Sequence, residues 1–249
     1  MSDLCGLTTV VTGSSSGIGR AIALEFAAAG AAVIVHAHTS RDAAEDTAMQ
    51  VRRLGADATV VLADVADERA AERLVEDAWA WRSGIDVWVN NAGADTLTGE
   101  AGKWPFERKL SHLWQVDVRG TILLSRLVGT KMRAAGHGTI LNMGWDQAAR
   151  GMAGDSGELF ATSKGAIMAF TKSLARSLAP EVRVNCLAPG WIKTAWGDQA
   201  SEYWQERAAA DSWLGRWGTP EDVARAARFL ASPAASFITG QIFAVNGGN

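Results

Sequence analysis

Short apolar runs rich in β-branched residues recur along the whole chain, and a longer stretch of helical periodicity separates each from the next. The runs are Thr8–Thr12, Val33–His36, Thr59–Ala63, Asp86–Asn90, Thr139–Met143, Val182–Ala188 and Gln241–Val245. Several are apolar without alternation, the pattern of strands covered on both faces. Between them, Ile18, Ile22 and Phe26 share one helical face, as do Leu74, Ala78 and Trp81. Ile167, Phe170, Leu174 and Leu178 form a third stripe, and Val223, Ala227 and Leu230 a fourth. Thr219-Pro220-Glu221-Asp222 starts that last helix, with a capping hydroxyl, proline at the first position and acids in the first turn. This alternation specifies an α/β chain: a doubly wound parallel sheet of seven strands, right-handed crossovers and helices on both faces. No repeat or linker interrupts it, so residues 1–249 read as a single domain.

Composition narrows the partners. A formal charge of -3 with no Lys/Arg-rich block argues against nucleic acid, whose phosphates would go uncompensated. No apolar stretch reaches membrane-spanning length, and the polar start Met1-Ser2-Asp3 leaves the cytoplasm as the expected compartment. Cys5 and Cys186 are too few for a disulfide framework, and neither has neighbours that suggest a metal site.

Directly after the first strand, Thr12-Gly13-Ser14-Ser15-Ser16-Gly17-Ile18-Gly19-Arg20 opens the first helix. Glycines let the backbone turn tightly and approach a pyrophosphate, whose charge then sits at the positive helix N-terminus. The strand before it and the amphipathic helix after it make this a dinucleotide-binding loop.

Its spacing, TGxxxGxG, resembles that of the short-chain dehydrogenase/reductase family, and the likeness extends over nearly the whole chain. Asn90-Asn91-Ala92-Gly93 matches the family's NNAG motif, and Asn185-Cys186-Leu187-Ala188-Pro189-Gly190-Trp191-Ile192-Lys193-Thr194 is similar to its N-x-x-x-P-G-x-x-x-T segment. The tail, Gly218 through Val223 and Ile238 through Gly248, also fits, and the reductases of 3-oxoacyl carrier protein are the members resembled most. The resemblance implies a Rossmann-type fold and a nicotinamide cofactor held by Gly13, Ser15, Ser16, Gly17, Ile18, Gly19, Asn91, Ala92, Gly93, Lys164, Pro189 and Gly190. Asp64 and Val65 would contact its adenine, and Ile192 and Thr194 its carboxamide. An NAD enzyme usually carries an acid at the end of the second strand to hold the ribose hydroxyls. Here that end reads His36-Ala37-His38-Thr39-Ser40-Arg41, with Ala37 in the acid's place and His38, Ser40 and Arg41 available to a 2′-phosphate. Ser16 stands where NADP-preferring relatives often have Arg or Lys. The balance favours NADP(H) over NAD(H).

The family's chemistry uses Tyr-x-x-x-Lys on a helix, a serine ending the preceding strand and an asparagine on the helix before. Here the pair reads Phe160-Ala161-Thr162-Ser163-Lys164, the strand ends Met143-Gly144-Trp145, and Val116-Asp117-Val118-Arg119-Gly120 has Asp117 for the asparagine. Lys164 alone survives. It would hold the nicotinamide ribose, and Asp117 would anchor water beside it. Phenylalanine cannot exchange a proton, and general acid–base help is worth about 10²–10⁴ in rate. Asp146 and Glu158, on a loop expected between the altered positions, are the substitute acids. A carboxyl pressed on Trp145 and Phe160 would have its pKa raised by desolvation. Tyr203, the only tyrosine, lies in the segment expected to cover the substrate, about residues 191–217.

That segment also collects Trp191, Trp196, Trp204, Trp213 and Trp217, from a chain with 11 Trp. Core packing accounts for some of them. The rest, with Trp145 and Phe160, suggest a pocket for a ring-shaped or aromatic small molecule. The expected activity is an NADP(H)-dependent oxidoreductase with a non-standard proton donor, acting on a carbonyl, imine or enone. A dinucleotide sensor or regulator without turnover is the alternative, and a non-redox lyase or isomerase a further one. By the same resemblance, Thr121–Ala135 and Gln241–Asn249 are compatible with a homotetramer.

Overall fold

The structure, a computed structural model, describes residues 3–194, 197 and 200–248. Seven strands form one parallel sheet in the order β3-β2-β1-β4-β5-β6-β7. They are β1 (Thr8–Val11), β2 (Ala32–Ala37), β3 (Ala58–Leu62), β4 (Val87–Asn90), β5 (Gly138–Met143), β6 (Val182–Pro189) and β7 (Ile242–Val245). The helices are α1 (Gly17–Ala28), α2 (Arg41–Arg53), α3 (Glu68–Trp81), α4 (Phe106–Leu113), α5 (Thr121–Ala135), α6 (Asp155–Leu178), α7 (Glu202–Asp211) and α8 (Pro220–Ala231).

The non-alternating strands are apolar because both faces are covered. Val33, Val35, Val87, Val89 and Leu141 meet α1, α2 and α8 on one side. Val10, Ile34, Trp88, Ile140 and Val184 meet α3, α5 and α6 on the other. Thr219 caps α8 as expected, accepting from the Asp222 N–H while the Asp222 carboxylate accepts from the Thr219 N–H. The strand order reverses direction between β1 and β4, and in open parallel sheets ligands bind at such a switch, outside the carboxyl ends of the strands.

Two local features differ from the sequence expectation. The segment after β5 is not loop up to Glu158: α6 begins at Asp155, and Asp146–Ala149 makes a single 3₁₀ turn. Between α4 and α5 the chain is helical, but not as an ordinary α-helix. It continues through a π-helical turn, Trp114–Gly120, a wide geometry rare outside functional regions.

Buried polar side chains tie the centre together. Trp88 Nε1 donates to Asn90 Oδ1 at 2.7 Å, Asn90 Nδ2 donates to Ser125 Oγ (2.8 Å) and Asn142 Oδ1 (2.9 Å), and Asn142 Nδ2 donates to Thr171 Oγ1 (3.0 Å). One satisfied chain thus fixes β4, β5, α5 and α6 around the switch point.

Candidate active site

The glycine loop adopts the shape its sequence demands. Gly13 and Gly17 have φ of +63° and +54°, a region where a side chain is strained. A Cβ on Gly19 would lie 2.3 Å from the Gly13 carbonyl oxygen, so only glycine lets α1 start this close to the loop. Ser16, at the N-cap of α1, makes no side-chain bond to the helix, which leaves its first-turn N–H groups free of a cap. Thr12 and Asn91 brace the loop from beneath: Thr12 Oγ1 accepts from the Asn91 and Ala92 N–H groups, and Asn91 Nδ2 donates to the Thr12 carbonyl at 2.9 Å. This is a cradle a pyrophosphate fits.

His36 adds a tie to which sequence reading gave no role. Its Nδ1 accepts from the Gly13 N–H at 3.1 Å, so Nε2 carries the proton and donates to the Ala63 carbonyl at 3.1 Å. Burial pushes this imidazole down to about 4, against the Ala63 bond that favours its charged form. A neutral histidine therefore joins the loop to the ends of β2 and β3.

A cleft of about 810 Å³ runs from this loop along the carboxyl edge of the sheet. Gly13, Ser15, Ser16, Gly17, Ile18 and Gly19 line one end, His38, Ser40, Asp64 and Val65 the side, and Asn91, Ala92, Gly93 and Thr194 the middle. Ala37 lines it too, with no carboxylate at the end of β2. His38 Nε2 stands 3.8 Å from Asp64 Oδ2. Arg41, Pro189, Gly190, Ile192 and Lys164 lie off this lining. Arg41 is exposed at the start of α2. The Ile192 side chain turns into the core, so close to Gly218 that a Cβ there would meet its Cδ1 at 2.5 Å. Gly190 packs on Asn246 rather than facing the cleft.

At the far end, Phe160 lines the cleft from α6 and meets Trp145 edge-on, ring centroids 6.3 Å apart at 68°. Gly144 has no room for a side chain: a Cβ would lie 2.8 Å from both Cys186 Sγ and Met168 Cγ. Burial pushes the Cys186 thiol up to about 12, so it stays protonated and inert. Lys164 Nζ is 2.7 Å from Asp117 Oδ2, and Asp117 Oδ1 accepts from the Ala94 N–H at 2.8 Å. The aspartate thus grips the lysine directly, where the sequence suggested an anchored water.

The expected substitute acids are elsewhere. Glu158 is exposed on the first turn of α6, so the desolvation expected of it is absent. Asp146 is buried, but its Oδ2 accepts from Arg150 (2.9 Å) and Asn246 (3.2 Å), and it does not line the cleft. Tyr203 is 61% exposed, and its hydroxyl accepts from Arg207 at 3.2 Å. Asp95 and His112, which sequence reading missed, line the same cleft as Phe160. His112 had a signal: it lies one helical turn before Val116, on the same face.

The tryptophans expected to wall the pocket pack mainly on each other. Trp191 meets Trp204 at 5.4 Å and Trp217 at 6.2 Å between centroids, and its Nε1 donates to Asp211 at 3.1 Å. Trp213 is 80% exposed. Trp196 lies outside the described residues.

Comparison with known proteins decides the lineage. Residues 13–249 match the enoyl-(acyl carrier protein) reductase family. The 3-oxoacyl-[acyl-carrier-protein] reductase FabG of Aquifex aeolicus is 37% identical over 250 residues, covering 98% of each chain. The chain belongs to the short-chain dehydrogenase/reductase family. Among solved structures, a 7α-hydroxysteroid dehydrogenase complexed with NADH and 7-oxo glycochenodeoxycholic acid superposes with a TM-score of 0.90 at 32% identity, covering 100% of this chain and 97% of that one. A putative NAD(P)-dependent gluconate 5-dehydrogenase from Beutenbergia cavernae, with bound NADP at low occupancy, gives 0.87 at 38% identity, covering 98% and 96%. Among the described residues no helix is long and apolar enough to cross a membrane, and no cluster of His, Cys, Asp and Glu could hold a metal ion.

Proposed function

We propose that this short-chain dehydrogenase/reductase is an NADP(H)-dependent oxidoreductase without a phenolic proton donor, acting on a ring-shaped or aromatic carbonyl, imine or enone. The observation that carries the reading is the single cleft joining the glycine cradle to Phe160. When bound, the nicotinamide nucleotide supplies or takes the hydride. The chain's own residues do the rest: the loop and α1 receive the pyrophosphate, Asp64 and Val65 border the adenine end, and Thr194 closes over Gly17. Lys164, which Asp117 grips, would hold the nicotinamide ribose as the family's motif lysine does.

The nucleotide preference rests on Ala37. The two structural neighbours carry NADH and NADP, so family membership alone does not choose between them. A 2′-phosphate beside Ala37 meets no fixed carboxylate at the strand end, and His38 and Ser40 border the same space. The substrate class rests on Phe160, a flat apolar ring lining the cleft and backed edge-on by Trp145, which favours a ring by an aromatic contact worth about 0.5–1.5 kcal/mol beyond area burial. Phe160 and Trp145 also remove the usual hydroxyls, so a substrate that needs little acid help, such as an iminium, suits the site best. The chain forms one domain, with the Trp191–Trp217 segment as a lid, and assembles as a homotetramer.

Fluorescence titration tests the first half. NADPH binds more tightly than NADH, and Ala37→Asp reverses that order by placing a carboxylate against the 2′-phosphate. Tighter NADH binding by the unaltered protein overturns the preference. A panel of cyclic ketones, cyclic imines and enones, read by NADPH oxidation, tests the second half. Tight binding with no oxidation across the panel favours a sensor over an enzyme.

A further inference from the structure

With tyrosine and serine replaced, the oxidoreductase reading needs a proton source at the Phe160 end of the cleft. Asp146, Glu158 and Tyr203 do not line it. Asp95 does, but it is held as a carboxylate. Burial raises its pKa, yet hydrogen bonds from the Thr98 hydroxyl and the Leu97 and Thr98 N–H groups outweigh that and keep it below the ordinary value. An acceptor already engaged by three donors is a poor acid.

His112 differs in each respect. Its imidazole is half-buried, lines the cleft, and has no hydrogen bond to any described residue. Packing rather than bonding orients it: the ring meets Trp104 at 5.4 Å and 74°, and Trp104 in turn carries the Arg108 guanidinium 3.9 Å from its centroid. The element that carries it is also tied to α6, which carries Phe160. The helix carrying His112 runs unbroken into the π-helical turn, whose Asp117 is bridged to Lys164, one turn beyond Phe160 on α6. A packed ring that lines the cleft and spends no hydrogen bond on a described residue is free to exchange a proton with a ligand.

We infer that His112 is the catalytic acid–base of this site, taking over the missing phenol's proton transfer; the inference rests on the oxidoreductase reading above. In the reducing direction the carbonyl carbon gains a hydride as the C=O π bond breaks, and the oxygen takes its proton from the His112 imidazolium. The products are the alcohol, the oxidised nucleotide and a neutral imidazole, which solvent reprotonates. The charged groups around this end are Asp95 on the segment after β4, the Asp117–Lys164 pair on the π turn and α6, and Arg108 on α4.

The test compares the unaltered protein with His112→Gln. The ring C–H resonances of His112, assigned by their loss in the variant, shift on addition of saturating NADPH and α-tetralone. NADPH affinity stays within about 2-fold in the variant, while oxidation of NADPH with the best panel substrate falls by about 10²–10⁴. In the unaltered protein kcat/KM for reduction declines as pH rises, because the acid form is consumed; in His112→Gln that decline is gone. A His112 resonance unmoved by NADPH and α-tetralone overturns the inference, as does a variant with unchanged rate and pH profile. Failure of the unaltered protein to bind either nucleotide would instead remove the oxidoreductase reading itself.

Discussion

His36 makes the glycine loop sensitive to acid. Its folded pKa of about 4 lies below the ordinary histidine value of 6.5, because burial penalises the cation. The unfolded chain therefore binds this proton first, and stability conferred by the neutral ring is complete above about pH 6.5 and lost as pH falls toward 4. At 1.36 kcal/mol per unit, the loss attributable to His36 is about 3 kcal/mol. Urea unfolding at pH 7 and pH 4.5 measures it. His36→Gln is expected to lower stability at pH 7 and to flatten the fall between the two pH values. An equally steep fall in the variant would assign it to carboxylates instead. At this scale the sequence was legible where backbone geometry dictates residue type. Gly13, Gly17 and Gly19 announce the loop because nothing else fits there. Side-chain direction was not legible. Chain proximity to Phe160 pointed to Glu158, yet two residues along a helix is about 200° of rotation, which carries that carboxylate out to solvent.

Elements were legible because their periods differ: each of the seven strand runs lies within two residues of its observed bounds. What periodicity could not reveal was the π-helical turn, since Val116-Asp117-Val118 also suits an ordinary helix. The turn matters because Asp117 joins it to α6. Lys164 and Asp117 side chains are only 15% and 1% exposed, so either charge left without the other would be largely buried. Breaking such a pair costs about 3–5 kcal/mol, chiefly from the charge left behind. Asp117→Ala is expected to destabilise by that amount in urea unfolding. Asp117→Asn, which keeps one acceptor of two, costs less. Near-equal stability of Asp117→Ala and the unaltered protein would show that Lys164 finds solvent or another partner. The clustered tryptophans teach the same lesson. Composition located Trp191, Trp204 and Trp217 in one segment, but only their packing shows that they chiefly bury one another.

A parallel sheet of seven strands has two edges, and the β7 edge bears on the homotetramer proposed above. An unpaired edge with apolar neighbours invites another chain unless it is covered or charged. Phe243 on β7 and Phe229 on α8 lie 6.3 Å apart between ring centroids and are 37% and 39% exposed. Phe237, just before β7, projects fully into solvent. No charge lies within Ile242–Val245 to discourage pairing. A second copy related by a two-fold axis would bring the same phenylalanines together from both sides, since such an interface is self-complementary. Exposed apolar surface concentrated in this way is expected to be an interface rather than a tolerated patch. Sedimentation velocity decides the matter. Phe237→Ser combined with Phe243→Ser should lower the sedimenting mass by a factor of two while leaving NADPH affinity unchanged, because the nucleotide cleft opens at the β1–β4 switch, on the opposite side of β5 and β6. Should the doubly substituted protein sediment like its parent, the edge is no interface, and assembly would have to run through the α5 face alone.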